Sequence, residues 1–267
     1  MSEQSQTRRP TGCLYLVPTP LDHGCDDQSA PLSQTLPAAA IATAARLEHW
    51  VCENAKSLRA FLKRVHAEAP LARPLQQIRI AQLPHAIHKK GDHAGRGGTA
   101  AAWDAQKLLA PALTGYAMGL VSEAGLPAVA DPGSSVVRAA HALGIPVTPL
   151  AGPCSLILAL AASGLNGQNF AFVGYLPQDA ALLTRRLRDL EAMALSSGQT
   201  QLFIETPYRS QSLLATMLQT LQAQTRVSVS QALTLPEAAT HSLTVQDWRL
   251  RASPQLGRAP AVFAIGV

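Results

Sequence analysis

The sequence predicts an α/β protein with two domains, the first built on a parallel sheet and the second on a mixed sheet. Short apolar runs alternate with helical patterns along most of the chain, which is the arrangement of βαβ units. The last two predicted strands follow each other with a polar stretch at 247–257 and no helix between them, which favours an antiparallel portion. The 267 residues suffice for two domains that each bury a core.

The domain boundary is predicted near Ala151, where Gly152 and Pro153 interrupt the pattern. Residues 12–150 then form the N-terminal α/β domain and residues 151–267 the C-terminal one. Residues 1–11 are polar and are expected to form a disordered tail.

Five strands are predicted in the first domain, each from a compact apolar run, and Pro18 and Pro20 close the first of them. These strands are expected at 14–17, 49–52, 78–81, 118–121 and 145–150. The segments between them carry apolar residues at helical spacing, which predicts helices at 38–47, 56–65, 103–109 and 134–143.

The second domain repeats the alternation. Strands are predicted at 170–173, 201–204, 226–229, 242–245 and 261–265, and helices at 155–163, 180–191 and 210–221. Polar or glycine-rich composition predicts loops at 22–35 and 85–99, and the second of these is basic.

Composition indicates a globular protein, because hydrophobic residues make up 47% and charged residues 15%. The net charge of +5 permits an anionic partner such as RNA, and an ordinary solvated surface explains it equally well. Basic clusters occur at Lys56/Arg59/Lys63, Lys89/Lys90/Arg96 and Arg185/Arg186/Arg188. Aromatic residues are not interleaved with these clusters, so the sequence indicates no base-stacking platform.

Cysteine usage favours reduced, packed thiols in a cytoplasmic protein, because the cysteines at 13, 25, 52 and 154 form no CxxC pair. The histidines at 85, 88 and 93 have no carboxylates at ligand spacing, so no metal site is expected. Neither a signal peptide nor an apolar run of membrane-spanning length is present in the sequence, so no membrane association is expected.

The most informative segment is residues 119–132, where a predicted strand is followed by small residues and a turn. In an open α/β sheet, ligands bind outside the carboxyl ends of the strands. Ala124 and Gly125 would let a ligand approach the backbone, and Glu123 would place a carboxylate at the same edge. The alternative is that Glu123 merely caps the strand and that Asp131 belongs to a tight turn.

Two phosphate-binding motifs are missing: GxGxxG after the first strand and GxxxxGK[ST] anywhere. A dinucleotide oxidoreductase or a P-loop NTPase is therefore disfavoured. A cofactor without phosphates, such as S-adenosylmethionine, needs only a shaped, largely apolar slot with backbone contacts.

Five segments together resemble the tetrapyrrole methylase superfamily, and are most similar to its branch of ribosomal RNA small-subunit methyltransferase I. The segments are Leu-Tyr-Leu-Val-Pro-Thr-Pro at 14–20, residues 122–133, residues 149–155, Gly-Tyr-Leu-Pro at 174–177 and Phe-Ile-Glu-Thr-Pro-Tyr-Arg at 203–209. The resemblance implies an S-adenosylmethionine-dependent methyltransferase with the cofactor in a cleft between the two domains. It also implies a homodimer, and in this branch methylation of a cytidine ribose 2′-hydroxyl in ribosomal RNA.

The resemblance also implies which residues contact the cofactor, although each has an ordinary structural alternative. Pro20 can be a strand terminator, Cys154 a packed thiol, Ser155 a helix cap and Pro260 an edge-strand proline. The implied contacts are Pro20, Glu123, Ala124, Gly125, Leu126, Pro127, Val129, Cys154, Ser155, Glu205, Pro260 and Ala261.

A hydroxyl acceptor requires a residue that takes its proton. The candidate bases are Asp22, Glu53, Glu123 and Asp131, of which Glu123 and Asp131 are ranked first because they lie at the predicted crevice. Arg209 is a candidate for binding a phosphate or orienting a carboxylate, and a surface ion pair is its alternative.

Three functions remain open at this point. The first is methylation of RNA, and the second is methylation of a tetrapyrrole or another small molecule. The third is a protein that binds S-adenosylmethionine without catalysis.

Overall fold

The computed structural model describes residues 11–22, 30–84, 104–251, 254–257 and 259–267. The chain divides into two compact units, Met1–Pro153 (unit 1) and Cys154–Val267 (unit 2). The tail predicted as disordered lies outside the described residues except for Thr11, and so does the whole basic loop predicted at 85–99. Part of the loop predicted at 22–35, residues 23–29, also lies outside them.

Unit 1 contains a five-stranded sheet in the order β3-β2-β4-β1-β5, and every neighbouring pair in it is parallel. The strands are β1 (Leu14–Leu16), β2 (His49–Cys52), β3 (Arg79–Gln82), β4 (Met118–Val121) and β5 (Val147–Pro149). The helices are α1 (Ala38–Arg46), α2 (Ala55–Glu68), α3 (Ala110–Leu113) and α4 (Ser134–Ala142). The predicted parallel sheet is confirmed.

The centre of this sheet is fixed by Trp50 on β2 and Gly119 on β4, which are register partners. Trp50 is almost fully buried, and its indole N–H donates to the carbonyl of Leu47 at 3.1 Å. A Cβ at Gly119 would lie 2.6 Å from two ring carbons of Trp50. Glycine is therefore required there so that the two central strands can pair.

Unit 2 contains a mixed sheet in the order β6-β7-β10-β8-β9. The strands are β6 (Phe170–Tyr175), β7 (Thr200–Glu205), β8 (Arg226–Gln231), β9 (Ala239–Thr244) and β10 (Ala261–Gly266). β6 and β7 are parallel, whereas β10 is antiparallel to both of its neighbours and β9 is antiparallel to β8. The predicted mixed sheet is confirmed.

In the described part of unit 2 the helices are α5 (Ser155–Ser163), α6 (Ala180–Ser197), α7 (Pro207–Thr220) and α8 (Val245–Leu250). Its core includes Phe203 and Phe263, whose rings stack on neighbouring strands with centroids 5.7 Å apart. α6 extends six residues beyond its predicted end and stops at Gly198, which adopts a left-handed conformation with φ +65°.

The prediction that no helix separates the last two strands is wrong, because α8 lies between them. Thr244 caps this helix: its hydroxyl accepts from the Asp247 amide at 3.1 Å and donates to the Asp247 carboxylate at 2.8 Å. Trp248 is buried and donates to the carbonyl of Val227 at 2.9 Å. Val245, predicted to end a strand, is therefore the first residue of this helix.

The prediction of an α-helix at 103–109 is also wrong, because the described part of this segment forms a different type of helix. A 3-10 helix covers Ala105–Leu109 and leads into the short α3, while Trp103 lies outside the described residues. Pro111, close to the start of α3, lacks the amide hydrogen that a continuous α-helix across this point would use, which accounts for the break.

Candidate active site

Three loops meet at the edge of the unit 1 sheet where its parallel strands end. Thr19, after β1, and Gly125, after β4, exchange two backbone hydrogen bonds of 3.0 and 3.1 Å. The Thr19 hydroxyl also donates to the carbonyl of Ser122 at 3.2 Å. Gly152, after β5, lies so close to Pro18 that any Cβ at that position would overlap the proline ring. The loops after β1, β4 and β5 therefore form one connected structure.

The loop after β4 has an unusual backbone. Four of its residues have φ in the left-handed region: Gly125 at +78°, Ala128 at +65°, Ala130 at +65° and Gly133 at +136°. An alanine in this region costs of the order of 1 kcal/mol or more, and such conformations concentrate at ligand-binding sites. The strained loop holds Gly125 against Leu21 and Pro153, since a Cβ at Gly125 would lie 3.2 Å from the Leu21 side chain and 3.5 Å from the Pro153 carbonyl oxygen.

Three carboxyl groups interact at this edge: Glu53 after β2, Glu123 after β4 and Asp131 in the strained loop. Burial, followed by the charges of Asp131 and Glu123, raises the pKa of Glu53 to about 7. Burial, followed by the charge of Glu123, raises the pKa of Asp131 to about 6. Both groups are therefore able to exchange protons near neutral pH.

The setting of Glu123 differs from that of the other two. Its side chain is exposed, and its Oε1 accepts a hydrogen bond of 2.9 Å from the hydroxyl of Ser57 on α2. The contact fixes the start of α2 beside the loop after β4. It also directs one oxygen of Glu123 toward protein rather than toward a ligand.

Asp22 is buried and lies in an ion pair. Its Oδ2 is 2.7 Å from Nη1 of Arg64 on α2, and Nη2 of the same arginine donates to the carbonyl of Ala30 at 3.0 Å. The pair connects the loop after β1 to α2.

The thiol of Cys52, next to Glu53, is buried and unreactive. Burial raises its pKa to about 11, so the thiol stays protonated at neutral pH. Nucleophilic chemistry through this cysteine is therefore disfavoured.

In unit 2, the residues predicted from the family resemblance lie along one edge of the mixed sheet. Glu205 at the end of β7 pairs with Ala261 at the start of β10, which also pairs with Gln231 at the end of β8. Pro260 precedes Ala261 and is exposed.

The helix α5 has its amino end at the same edge of unit 2. Its carboxyl end is fixed farther along the sheet, where Ser242 donates to the carbonyl of Ser163 at 2.6 Å and Leu165 packs against Gly266. Cys154 is the N-cap residue and Ser155 the first helical residue, and both are partly buried. Ser155 is thus inside the helix rather than in the capping position.

Arg209 and Glu205 form an ion pair within unit 2. Nη2 of Arg209 lies 3.3 Å from Oε2 of Glu205 and also donates to the carbonyl of Pro177 at 3.4 Å. The other oxygen of Glu205 accepts from the amide and hydroxyl of Thr206 at 2.8 and 3.2 Å. These contacts hold the start of α7 next to the segment that follows β6. They also pair the positive charge of Arg209 with Glu205, and that charge is the one that would bind a ligand phosphate.

The structure thus places the sequence-predicted residues in two groups. Unit 1 brings together Pro20, Asp22, Glu123, Ala124, Gly125, Leu126, Pro127, Val129 and Asp131 around the ends of β1 and β4; unit 2 brings together Cys154, Ser155, Glu205, Arg209, Pro260 and Ala261. Sequence reasoning assigned no role to Thr19, Ser57 or Arg64. Thr19 lies between Pro18 and Pro20 directly after an apolar run, and this position at a predicted strand end could have indicated a residue of the site.

Two findings concern other kinds of site. Among the residues that the structure describes, no group of three or more His, Cys, Asp or Glu side chains could hold a metal ion, and the histidines at 85, 88 and 93 lie outside them. Within the same described ranges, no helix is both long and apolar enough to cross a membrane.

Comparison with known proteins identifies the family. The family of tetrapyrrole (corrin/porphyrin) methylases matches residues 35–248. The chain belongs to this family. Its members use S-adenosylmethionine as the methyl donor.

Similar proteins include ribosomal RNA small subunit methyltransferase I of Vibrio cholerae, which is 39% identical over 130 residues, or 49% of this chain and 44% of that protein. The protein of the same name from Mesorhizobium japonicum is 32% identical over 221 residues, or 83% of this chain and 63% of that protein. The matched parts thus span less than two thirds of the length of either relative.

The fold of this chain is shared with a solved structure, that of the methyltransferase CobJ. The two superimpose with a TM-score of 0.54 at 18% identity, covering 96% of this chain and 94% of the other. This similarity confirms the predicted fold class, with one α/β unit built on a parallel sheet and one on a mixed sheet.

Proposed function

We propose that this chain is an S-adenosylmethionine-dependent methyltransferase and that its acceptor is a ribose 2′-hydroxyl of ribosomal RNA. Family membership supports the methyl donor, and the names of the relatives support ribosomal RNA as the acceptor. The choice of the ribose 2′-hydroxyl rests on the resemblance found in the sequence. The structural observation that carries the proposal is the connected pair of loops after β1 and β4, joined by Thr19 and Gly125 at the carboxyl edge of the parallel sheet.

The residues at this edge fit a ligand that is recognised by shape and backbone contacts. Pro20, Gly125 and Pro127 are buried, Ala124 is partly buried, and Val129 is exposed in the loop. The donor supplies a methyl carbon attached to a positively charged sulfur. For such a carbon, the main contribution of the protein is to align the acceptor with it.

An RNA acceptor is supported by the charge on α2. Lys56, Arg59 and Lys63 are all exposed on this helix, whose first turn reaches Glu123 through Ser57. A basic helix face that begins beside the carboxyl edge of the sheet can bind phosphates of an RNA whose target ribose lies at that edge.

The cofactor assignment is tested by calorimetric titration of the purified protein with S-adenosylmethionine and with S-adenosylhomocysteine. Saturable binding at micromolar to about millimolar concentration is expected for a methyltransferase. A protein that gives no heat and no thermal stabilisation with either nucleoside at about 1 mM would contradict the proposal.

The acceptor is tested by supplying a methyl-labelled donor with fractionated cell extract and small ribosomal subunits. We expect the label in ribosomal RNA, and in a ribose-methylated nucleoside after complete digestion. Label in a tetrapyrrole or another small molecule would replace the RNA assignment. Saturable donor binding without label in any fraction would indicate a sensor protein instead.

The contribution of α2 is tested with the triple variant Lys56→Ala, Arg59→Ala, Lys63→Ala. Each lost phosphate contact should reduce the slope of log affinity against log salt by about 1. An unchanged salt dependence of binding to small-subunit RNA would remove α2 from the proposed RNA surface.

We also propose that the protein acts in the cytoplasm as a homodimer, on the strength of the family resemblance. Sedimentation equilibrium of the purified chain would test the assembly, and a monomer at micromolar concentration would contradict it.

A further inference from the structure

The carboxyl groups at the edge of the unit 1 sheet differ in what their oxygens contact. Asp22 is paired with Arg64, and Glu123 is exposed and accepts a hydrogen bond from Ser57. Among the described residues no basic side chain pairs with Glu53, and the backbone amide of Glu123 lies near enough to its carboxyl group to favour the charged form. The Oε1 of Glu53 is buried and makes no hydrogen bond among the residues that the structure describes.

A second buried polar atom lies beside Glu53. The Oγ of Ser122, a residue that is 4% exposed, makes no hydrogen bond within the described part of the chain. The Ser122 hydroxyl lies near enough to the Glu53 carboxyl to favour its charged form, but the two groups do not adopt hydrogen-bond geometry. A buried polar atom without a partner costs of the order of 1–3 kcal/mol. Two such atoms side by side at the ligand edge indicate that a ligand hydroxyl completes the arrangement.

We infer that Glu53 is the general base that accepts the proton of the acceptor hydroxyl during methyl transfer, and that the Ser122 hydroxyl helps to hold that acceptor oxygen. The inference rests on the proposed function. As the acceptor oxygen bonds to the methyl carbon, its proton moves to a Glu53 oxygen and the carbon–sulfur bond of the donor breaks. The electron pair of that bond stays on sulfur, so the products are the methyl ether, neutral S-adenosylhomocysteine and protonated Glu53.

The surroundings of Glu53 suit this role. The charged groups that face it are Asp131 and Glu123, both negative, and they make its proton affinity higher than that of an ordinary glutamate. From α2, Arg59 influences the neighbouring Cys52, and from β3 the neutral Gln82 lies 3.5 Å from the Glu53 carbonyl. A base whose pKa lies near the working pH combines proton affinity with a large deprotonated fraction.

Asp131 is assigned a positioning role, because it acts on the reaction through Glu53. Its negative charge raises the pKa of Glu53, and its own pKa of about 6 lets it remain largely charged at neutral pH. Removal of this charge should move the pH dependence of the reaction without abolishing the reaction.

The experiment compares the wild type with Glu53→Gln, Glu53→Asp and Asp131→Asn under single-turnover conditions, using small ribosomal subunits and a methyl-labelled donor. The wild-type rate should rise with pH to a plateau, with a midpoint near the pKa of Glu53. Glu53→Gln should lower the rate by at least about 100-fold and remove the rise, while its affinity for S-adenosylmethionine stays within about 3-fold of the wild type. Glu53→Asp should be slower than the wild type but keep the rise.

Asp131→Asn should keep a rate on the plateau within about 10-fold of the wild type and shift the midpoint to lower pH. Glu237→Gln, at an exposed position in unit 2, is the matched control and should leave the rate and its pH dependence unchanged. If Glu53→Gln fails to fold, as judged by circular dichroism, the shift in Asp131→Asn remains a test of the same assignment.

Three results would overturn the inference: an unchanged rate in Glu53→Gln, a pH rise that persists in Glu53→Gln, or a parallel loss of donor affinity that accounts for the lower rate. In contrast, a wild type that binds no donor would contradict the proposed function itself. The two failures are therefore distinguishable.

Discussion

The raised pKa of Glu53 predicts how the stability of the protein changes with pH when this residue is replaced. A carboxyl group with a higher pKa in the folded state binds its proton more tightly there than in the unfolded chain. Deprotonation then disfavours folding, and the penalty develops as pH rises from about 4.5 to about 7. Glu53→Gln removes this ionisation, so the variant should gain stability over the wild type as pH rises through this range.

The size of the gain follows from the two pKa values, 4.5 in the unfolded chain and about 7 in the fold. A tenfold change in proton affinity corresponds to about 1.4 kcal/mol, so the difference between the two pKa values sets an upper limit of roughly 3.5 kcal/mol well above pH 7. Part of the Glu53 side chain contacts solvent, which screens its charge. We therefore expect Glu53→Gln to be roughly 1–3 kcal/mol more stable than the wild type at about pH 8.

The assay is urea unfolding followed by far-ultraviolet circular dichroism, with wild type and variant compared at about pH 4.5 and about pH 8. The gain at the higher pH should largely disappear at the lower pH, where the folded state binds the proton and the unfolded chain is about half protonated. It should also be smaller in an Asp131→Asn background, because the Asp131 charge is one cause of the raised pKa. The exposed Glu237→Gln is the control. A difference between Glu53→Gln and the wild type that is equal at the two pH values would refute the electrostatic reasoning.

Three further predictions concern backbone and packing. Gly125→Ala should lower the affinity for S-adenosylmethionine, because the added Cβ would lie 3.2 Å from the Leu21 side chain in a left-handed backbone. Gly144→Ala is the control, since Gly144 has φ +68° and no atom lies within 4 Å of its added Cβ. It should lower the stability by a similar amount, about 1 kcal/mol, without changing the affinity. Equal affinities of these two variants would contradict the role of the loop. Gly119→Ala should destabilise unit 1 by about 1–3 kcal/mol through overlap with Trp50, measurable by chemical unfolding, and a neutral effect would refute the packing argument. Thr244→Ala should cost about 1 kcal/mol by removing the cap of α8, and an unchanged unfolding midpoint would show that the cap contributes nothing.

The fold was largely predictable because the apolar runs are short and separated by helical patterns. The strands at 49–52 and 118–121 and the helix at 155–163 lie where the sequence predicts them. The missed α8 had a local signal, since Thr244 and Asp247 have the spacing of a reciprocal cap. That signal is short, and the β-branched residues before it also favour a strand.

The site was less predictable, because its key contacts join segments that are far apart in the sequence. The charge of Asp131 acts on Glu53 because β4 pairs with β2 in the sheet, and no local sequence pattern predicts this strand order. The left-handed conformations of Ala128 and Ala130 could not be read from the sequence either, since alanine ordinarily avoids that region. The ranking of Glu123 above Glu53 as a base stays a prediction, and the contacts of the two residues favour the reverse order.

The two left-handed alanines also bear on how this protein would respond to laboratory evolution. Glycine adopts the same backbone without strain, so Ala128→Gly and Ala130→Gly are natural targets of a selection for heat resistance. The same changes would loosen the segment that supports Gly125 and Asp131. A library screened for thermal tolerance alone should therefore enrich clones that survive heating but have lost donor affinity, and a counter-screen for methylation would be needed to discard them.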